Sequence, residues 1–400
     1  MKPSLPGPTS QHKAAPYRRE AYLDYNATTP VDPRVVEAML PFLSTHFGNP
    51  SSSHAYGRIA RRAVADAREK IAHLLGVHAN NVIFAGTGTE ADHLAIRGAA
   101  LARCPQGGHV VSQVTEHPAV ADACTVLERE HGFTVTVLPV DEFGLVDPAA
   151  LSAALTSRTV LVTIMHANNE TGTVQLIAEL AEIAHAAGAL FHTDAAQTVG
   201  KLPVHVGELG ADLVTIVGHK FYAPKGVAAL CISEDVPIRP VMGGGGQERG
   251  LREGTENTAQ IVGLGEAGRL AVQDLRTWAD RVTGLRDRLH IRLEQLLPGR
   301  VLLNGHPTRR LPNTLNVSIT GVDADRLLAD AAGIAASTGS ACHAGITEPS
   351  PVLLAMGHSP ERSRAALRLT LGRPSTTADI DAAATEIARA AALQTFEAAR

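Results

Sequence analysis

The chain has 400 residues, of which 44% are hydrophobic and 19% are charged. This length exceeds one small core and predicts two domains or one large α/β unit, with the residue balance of a globular protein. The formal net charge of -4 argues against nucleic acid or an anionic membrane as partner, and no apolar run is long enough to span a bilayer.

The first 16 residues are rich in proline and polar residues and lack the apolar core of a signal peptide. Residues 1–16 are therefore predicted to be a disordered tail, and the protein is expected to be cytoplasmic. The four cysteines form no CxxC pair or metal-like spacing, and no HExxH motif is present, so no catalytic metal is expected.

Apolar runs rich in β-branched residues alternate with Ala-rich amphipathic segments through the middle of the chain. The predicted strands are Val82–Ala85, His109–Gln113, Thr134–Pro139, Thr159–Met165, Leu190–Asp194, Leu213–Val217 and Ala228–Ile232. The predicted helices between them are Ala91–Ala102, Ala119–His131 and Ile177–Ala187. This alternation is typical of βαβ units and predicts an α/β fold with a mostly parallel sheet covered by helices.

The pattern changes after about Ile261. A long helix is predicted over Ile261–Leu297, followed by shorter strands at Val301–Leu303 and Thr314–Ser318. These elements predict a second, smaller α+β domain that is joined to the first through the long helix.

Ligands of open α/β sheets bind beyond the carboxyl ends of the strands, and several polar residues follow predicted strands. After Val82–Ala85 comes a Gly/Thr turn that contains Gly88 and Thr89, where a helix begins. Such a turn could hold a phosphate on its backbone N–H groups, or Thr89 could simply cap the helix. These residues alone leave the two interpretations open.

Two further strand ends carry ring or amide side chains. His117 follows the strand His109–Gln113 and could stack on an aromatic ring, although a histidine in this position is more often structural. Asn168 and Asn169 follow the next strand, where they are either turn formers or hydrogen-bonding groups for a polar ligand.

Asp194 and Lys220 end two consecutive strands. Alone, Asp194 could cap a helix, and Lys220 could be a surface lysine with a buried stem. Together they are the pair that pyridoxal phosphate needs, since a lysine amine bonds the cofactor aldehyde and a carboxylate keeps the pyridine nitrogen protonated. Gln197 could face the same pocket.

Three later stretches are also candidates. Four glycines at 243–246 precede Arg249, Arg252 and Thr255, and form either a flexible loop or an anion site lined by backbone. Cys342 lies among small residues, where it is either a reactive thiol or an incidental loop cysteine. The stretch from Arg368 to Arg373 offers arginines suited to binding a carboxylate.

Taken together, these stretches resemble the pyridoxal-phosphate-dependent cysteine desulfurases of the class V aminotransferase family and the related selenocysteine lyases. The matching stretches, in family order, are YLDYNATTPVDPRV (22–35), FGNPSSSH (47–54), GTGTE (86–90), TEHPAV (115–120), MHANNETG (165–172), HTDAAQ (192–197), GHK (218–220), GGGQERGLREGT (244–255), LPNTLNVS (311–318), STGSACHAG (337–345) and LRLTLGR (367–373).

The resemblance implies a pyridoxal-phosphate-dependent transferase of fold type I. It places a large cofactor-binding domain at 33–270, with a mostly parallel sheet sandwiched by helices. It places a smaller α+β domain at 17–32 and 271–400, which carries the loop of the catalytic cysteine. Family members are homodimers, and their persulfide sulfur passes to a protein acceptor such as an iron–sulfur scaffold.

The resemblance also implies roles for single residues. Lys220 would bond the cofactor and then take the Cα proton of the substrate, and Cys342 would attack the substrate sulfur and carry it as a persulfide. His117 would stack on the cofactor ring and could shuttle protons. The remaining cofactor-binding residues would be Gly88, Thr89, Asn169, Asp194, Gln197, His219 and Thr255, of which Thr255 would reach the phosphate in a neighbouring subunit. Arg368, with Asn26, would bind the substrate.

Two departures from the family pattern concern the cofactor side. Val217 stands where a serine that donates to the phosphate is common, and His93 stands where an asparagine is common. Three stretches are closer to the selenocysteine lyases: VGHKFY, GGGQER and SPVLLAMG. The short interval from Cys342 to Glu348 is instead similar to that of the desulfurases. L-Cysteine is the expected substrate, with L-selenocysteine as the second candidate. The residues also leave open a non-catalytic sulfur-carrier scaffold and a plain aminotransferase.

Overall fold

The computed structural model describes residues 20–338 and 349–398, and within the last helix the side chains up to residue 394. Its helices are α1 Pro33–Ser44, α2 Ala55–Leu75, α3 Gly88–His93, α4 Ala99–Arg103, α5 Pro118–His131, α6 Pro148–Ala154, α7 Ile177–Ala186, α8 Val206–Leu209, α9 Thr258–Leu296, α10 Ala324–Asp330, α11 Pro351–Ala355, α12 Pro360–Arg364 and α13 Thr377–Ala398. Its strands are β1 Ala21–Tyr22, β2 Val82–Ala85, β3 His109–Gln113, β4 Thr134–Leu138, β5 Thr159–Thr163, β6 Leu190–Asp194, β7 Leu213–Val217, β8 Ala228–Ile232, β9 Val301–Leu303, β10 Thr314–Ile319, β11 Ile334–Ala335 and β12 Ala366–Thr370.

A seven-stranded sheet forms the centre of the described chain, in the order β2-β8-β7-β6-β5-β3-β4. Only β8 is antiparallel to its neighbours in this sheet, so the carboxyl ends of the other strands meet at one edge. The expected mostly parallel sheet is confirmed.

Two strands are shorter than predicted. The strands β4 and β5 end at Leu138 and Thr163, whereas the apolar pattern predicted Pro139 and Met165 as their ends. The paired register of β5 with β6 ends at Thr163, and the backbone N–H of Ile164 still donates to the carbonyl of His192 in β6. Ile164 and Met165 are buried, so the apolar pattern continues past the last paired residue. The predicted helix Ala91–Ala102 starts earlier, at Gly88, and its middle turn at Leu94–Gly98 is a π-helix.

Apolar side chains cover both faces of this sheet. One core contains α2, α7 and the first part of α9, and the other contains the helical region Gly88–Arg103 together with α5. The long helix leaves the first core after Ala271, because its residues from Trp278 onward pack into a separate core. In the described residues, no helix is both long and apolar enough to cross a bilayer.

The separate core is built on the antiparallel sheet β12-β10-β9 and is covered by α10, α13 and the second part of α9. The first described strand, β1, pairs with β11, and Leu23 is buried in this core. From there the chain crosses to the large sheet, where the backbone N–H of Thr29 donates to the carbonyl of His219. The segment 24–32 therefore joins the two cores at the carboxyl edge of the large sheet. The expected domain boundaries stay a prediction.

Candidate active site

Lys220 lies at the carboxyl edge of the large sheet, in a single helical turn that directly follows β7. Its amine donates to the carbonyls of Asn26 (2.8 Å) and Ala27 (2.9 Å). Burial and the positive charge of Arg368 lower the pKa of Lys220 to about 8, although Asp194 and Asp24 act in the opposite direction. A larger fraction of this amine is therefore neutral, and nucleophilic, near neutral pH than in an ordinary lysine.

Asp194 is the last residue of β6, on the strand next to Lys220, and is buried. Its Oδ1 accepts a hydrogen bond from the backbone N–H of Ala196 at 2.8 Å, and burial raises its pKa. That backbone bond and the positive charges of His117 and Lys220 oppose the rise. A cation held against this carboxylate would restore its ionised form, as a protonated pyridine nitrogen does.

His117 is the N-cap of α5, and its Nδ1 accepts from the backbone N–H of Ala119 at 3.2 Å. Desolvation lowers the pKa of this histidine, against the attraction of Asp194, and Lys220 lowers it further. Among the described residues, the preceding Glu116 has a buried oxygen, Oε2, without a partner, and burial raises its pKa to about 8. Burial therefore disfavours the charged forms of His117, Glu116 and Asp194 alike.

Asn26 connects several expected site residues. Its carbonyl accepts from Gln197 Nε2 (3.1 Å) as well as from Lys220, and its Nδ2 donates to the carbonyl of Asn169 (3.1 Å). The amide also donates to Thr314 Oγ1 in the separate core. Asn26 therefore belongs to the hydrogen-bonding framework of the site and ties both cores to Lys220.

Arg368 lies in β12 and is 7% exposed. Its Nη2 donates to Asp24 Oδ1 at 2.8 Å, while its buried Nε has no hydrogen-bond partner among residues 20–338 and 349–398. A guanidinium with an unused buried donor is suited to receive a carboxylate. The other arginine of this stretch is different: Arg373 binds the carboxylate of Asp32 and stacks on Tyr222, so its carboxylate partner comes from within the fold.

The capping residue of the glycine turn after β2 is not Thr89, which one of the two interpretations of this turn had named. Thr87, not Thr89, is the N-cap, and its side chain accepts from the backbone N–H of Glu90. Thr89 is exposed. The backbone N–H groups of Gly88 and Thr89 are in the first turn, where a helix leaves its N–H groups without partners of its own. These donors match the anion site, which was one of the two interpretations of this turn.

Val217 explains why this turn requires glycine. A Cβ placed on Gly88 would come within 2.5 Å of Val217 Cγ2. The valine thus packs directly against the turn, where a serine hydroxyl is common in the family. His219 is near the same place, and its Nδ1 is 3.1 Å from Thr28 Oγ1. Burial lowers the pKa of His219 to about 4, so its ring is neutral and can donate from one nitrogen.

The second departure, His93, faces a neighbouring helix. Its Nε2 is 3.6 Å from the carboxylate of Asp122 on α5. Burial and Arg97 lower the pKa of His93, whereas Asp122 raises it. The contact of His93 is thus with α5, which gives this histidine a partner within the fold.

The glycine-rich loop is fixed at its end by Glu248. Both oxygens of this carboxylate accept from Arg68, and one also accepts from the backbone N–H of Phe84 in β2. Arg252 pairs with Glu90 at 2.8 Å, and Thr255 is exposed. The loop is thus anchored to the sheet while Thr255 faces outward, away from its own core.

Cys342 lies outside the described residues. The described residues on either side of its segment contact the site: the backbone of Ser337 pairs with that of Arg368, and Ser350 Oγ donates to Glu170 Oε2 at 2.6 Å. Glu170 directly follows Asn169.

Sequence reasoning did not identify three charged residues of this site, which are Asp24, Glu116 and Lys201. Asp24 and Glu116 lie inside stretches that match the family but received no role. Lys201 is 3% exposed, and its amine donates to Asn26 Oδ1 (3.0 Å) and Gln197 Oε1 (2.7 Å). The segment between β6 and α8, which holds both Gln197 and Lys201, is not helical, so helical spacing could not have indicated this contact.

Comparison with known proteins gives the same family as the sequence motifs. Residues 21–383 match the family described as Aminotransferase class-V, and the chain belongs to that family. Over 366 residues it is 46% identical to "Cysteine desulfurase IscS" of Dictyoglomus turgidum, and the match covers 91% of this chain and 92% of the relative.

Two solved structures are also similar. A "NifS-like protein" has a TM-score of 0.86 at 34% identity, over 94% of this chain and 100% of that one. A structure titled "SspA in complex with cysteine" has a TM-score of 0.77 at 35% identity, over 88% of this chain and 98% of that one. The fold is therefore that of the NifS-like, pyridoxal-phosphate-dependent enzymes of fold type I.

Proposed function

We propose that the protein is a cysteine desulfurase that uses pyridoxal phosphate to convert L-cysteine into L-alanine, with the sulfur passing to Cys342 as a persulfide. The observation that carries the proposal is that buried Asp194 and Lys220 lie at the ends of neighbouring strands at one edge of the large sheet, and that the charges of Asp194 and of Arg368 from β12 both act on Lys220. The relatives that bear the name cysteine desulfurase support the choice of reaction.

The residues of the site fit the cofactor. Lys220 supplies the amine, buried Asp194 supplies a carboxylate for the pyridine nitrogen, and Gly88 lies in a turn that has no room for a side chain. Gln197, Asn169, His117, His219 and Thr89 are the further residues that we propose to hold it. When bound, pyridoxal phosphate withdraws electrons from the substrate Cα.

The chain would supply the proton transfers and the positioning. Lys220, with its lowered pKa, can take the Cα proton as a neutral amine and return it later as a cation. Arg368 would hold the substrate carboxylate through its free Nε, since that donor is buried and otherwise unused. Asp24 keeps the guanidinium in place from the other side.

Cys342 is proposed as the sulfur acceptor. The bond between the substrate Cβ and sulfur breaks as the Cys342 thiolate bonds to the sulfur, and the electron pair stays on the substrate, which becomes alanine after protonation. The buried cysteines are poor candidates for this role, because burial raises the pKa of Cys124 and of Cys231 to about 12. The sulfur acceptor beyond Cys342 and the cytoplasmic location remain predictions from the sequence.

A homodimer is part of the proposal. Apolar side chains are exposed on α1, on α2 and on the loop between them, and these are Val36, Leu40, Leu43, Phe47, Tyr56 and Ile59. Of these, the rings of Phe47 and Tyr56 are in contact, with centroids 5.5 Å apart. Exposed apolar side chains that cluster in this way are typical of an interaction surface. The outward-facing Thr255 is proposed to reach the phosphate bound by the neighbouring subunit.

The test of the function is a spectrum followed by an assay. Purified protein is expected to absorb near the visible edge, to lose that band on borohydride reduction, and to release alanine and sulfide from L-cysteine in the presence of a thiol reductant. Parallel turnover of L-selenocysteine decides between the two substrates. Protein that carries the band but releases no alanine from either amino acid would refute the proposal.

The lowered pKa of Lys220 gives a pH prediction. Only the neutral amine bonds an aldehyde, so the rate at which cofactor-free protein takes up pyridoxal phosphate is expected to rise with a midpoint near pH 8 and then level off. A lysine with an ordinary pKa of about 10.4 would continue to accelerate well above that pH. Stopped-flow absorbance measures the rate, with N-acetyl-lysine methyl ester as the free-amine reference. A protein profile parallel to the reference would contradict the prediction.

A further inference from the structure

Lys201 is a lysine in an unusual environment, because it is buried and is surrounded by amide groups. It is 3% exposed, and among the described residues its amine has two amide oxygens as partners and no carboxylate. The charges that act on it most, Lys220 and Arg368, are both positive. A buried amine without a counter-ion is costly, so a role in positioning its neighbours is a reason for its presence.

The contacts of Lys201 fix how the Gln197 amide is oriented. Its amine donates to Gln197 Oε1 at 2.7 Å, so the other end of the amide, Nε2, is directed to the Asn26 carbonyl at 3.1 Å. That carbonyl also accepts from Lys220. A glutamine amide that could rotate freely would present either an acceptor or a donor, but this one presents only N–H groups on the side of Lys220.

The same amine also holds Asn26. Lys201 donates to Asn26 Oδ1 at 3.0 Å, which leaves Nδ2 of that residue directed at Asn169 and Thr314. Burial, with added repulsion from Lys220 and Arg368, holds the pKa of Lys201 well below its usual value. Both partners of the amine are amide oxygens, which only accept, so the amine is the donor in each contact.

We propose that Lys201 is a positioning residue, which fixes the Gln197 amide so that its N–H group donates to the phenolic oxygen of the bound cofactor. The inference rests on the proposed function, since it concerns pyridoxal phosphate at this site. A hydrogen-bond donor at the phenolic oxygen stabilises the negative charge on that oxygen. This charge is largest when the bound chromophore is deprotonated, so the donor favours the deprotonated form. Lys201 therefore lowers the pKa of the chromophore through Gln197.

The test is the pH titration of the absorbance of the cofactor-bound protein. Lys201→Met is expected to raise the apparent pKa of the chromophore by about half to one unit, the effect of about one hydrogen bond. Gln197→Met is expected to raise it equally, and the double variant no further, because both changes remove the same interaction. Lys70→Met is the matched control, since Lys70 pairs with Glu266 between α2 and α9, and no shift is expected.

A second variant covers the case in which Lys201→Met does not fold. Gln197→Glu puts a carboxylate next to the Lys201 amine, and the two groups can form an ion pair. This variant is therefore expected to fold and to bind pyridoxal phosphate. Its chromophore is expected to have a raised pKa. An unchanged chromophore pKa in Lys201→Met, or shifts that add in the double variant, would overturn the inference. So would a Gln197→Glu protein that fails to fold while Gln197→Met folds. Parent protein without any chromophore would instead refute the proposed function.

Discussion

Lys220→Ala is expected to reduce alanine formation from L-cysteine by about three orders of magnitude or more, and to remove the borohydride-sensitive absorbance band. The loss follows from the character of the amine, which is a partly neutral base on which the charges of Asp194 and Arg368 both act. The fold is expected to survive, because the side chain donates only to two carbonyls, those of Asn26 and Ala27. Measuring the spectrum, alanine release and the melting temperature on one preparation separates chemistry from folding.

Lys225→Ala is the matched control for this experiment. Lys225 is five positions further along the chain, is exposed, and acts on the site only as a distant charge that lowers the pKa of His219. The control variant is expected to keep the band and most of the activity. Substantial turnover by Lys220→Ala, with Lys225→Ala no different from the parent, would remove Lys220 from the proposed role.

Cys342→Ala is expected to stop sulfur release almost completely while the cofactor band stays intact. Without the Cys342 thiolate no nucleophile attacks the substrate sulfur, so the Cβ–S bond is not broken. L-Cysteine can still bind and change the spectrum. Lys220→Ala and Cys342→Ala therefore differ in which properties of the parent protein they keep. Lys220→Ala loses the chromophore and turnover together, and Cys342→Ala loses turnover alone, as a spectrum recorded before and after addition of L-cysteine will show.

Cys104→Ala controls for the general loss of a thiol. Cys104 is partly exposed, and its Sγ donates to the carbonyl of Gly107 at 3.0 Å. It follows α4 and lies in none of the stretches that match the family. If Cys104→Ala lost sulfur release and Cys342→Ala kept it, the persulfide would have to be assigned to Cys104.

The sequence was most informative where a residue type conflicts with its surroundings. A lysine and an aspartate at the ends of apolar strands predicted the centre of the site, because strand ends of a parallel sheet meet at one edge. The bounds of β2, β3, β6, β7 and β8 were predicted correctly, since apolar runs with clear breaks define them. The strands β4 and β5 were predicted too long, because burial continues past the last paired residue.

The remaining part of the site depends on contacts between distant segments, which spacing does not report. Nothing in the pattern around Asn26 indicates that its carbonyl meets Lys220, 194 positions later. Arg373 and Arg368 look equivalent along the chain, yet one pairs with Asp32 and stacks on Tyr222 while the other keeps a free Nε. Only the packing of β12 against the crossing segment distinguishes them.

The crossing segment 24–32 also sets the order in which the protein can be completed during synthesis. The backbone N–H of Asn26 donates to Thr370 Oγ1, and β1 pairs with Ile334–Ala335 near the other end of the chain. The ribosome makes Asn26 344 residues before Thr370. A nascent chain can therefore build the large sheet and expose the Lys220 amine before Asn26 is held in place, so the site reaches its final form only after β12 has been made.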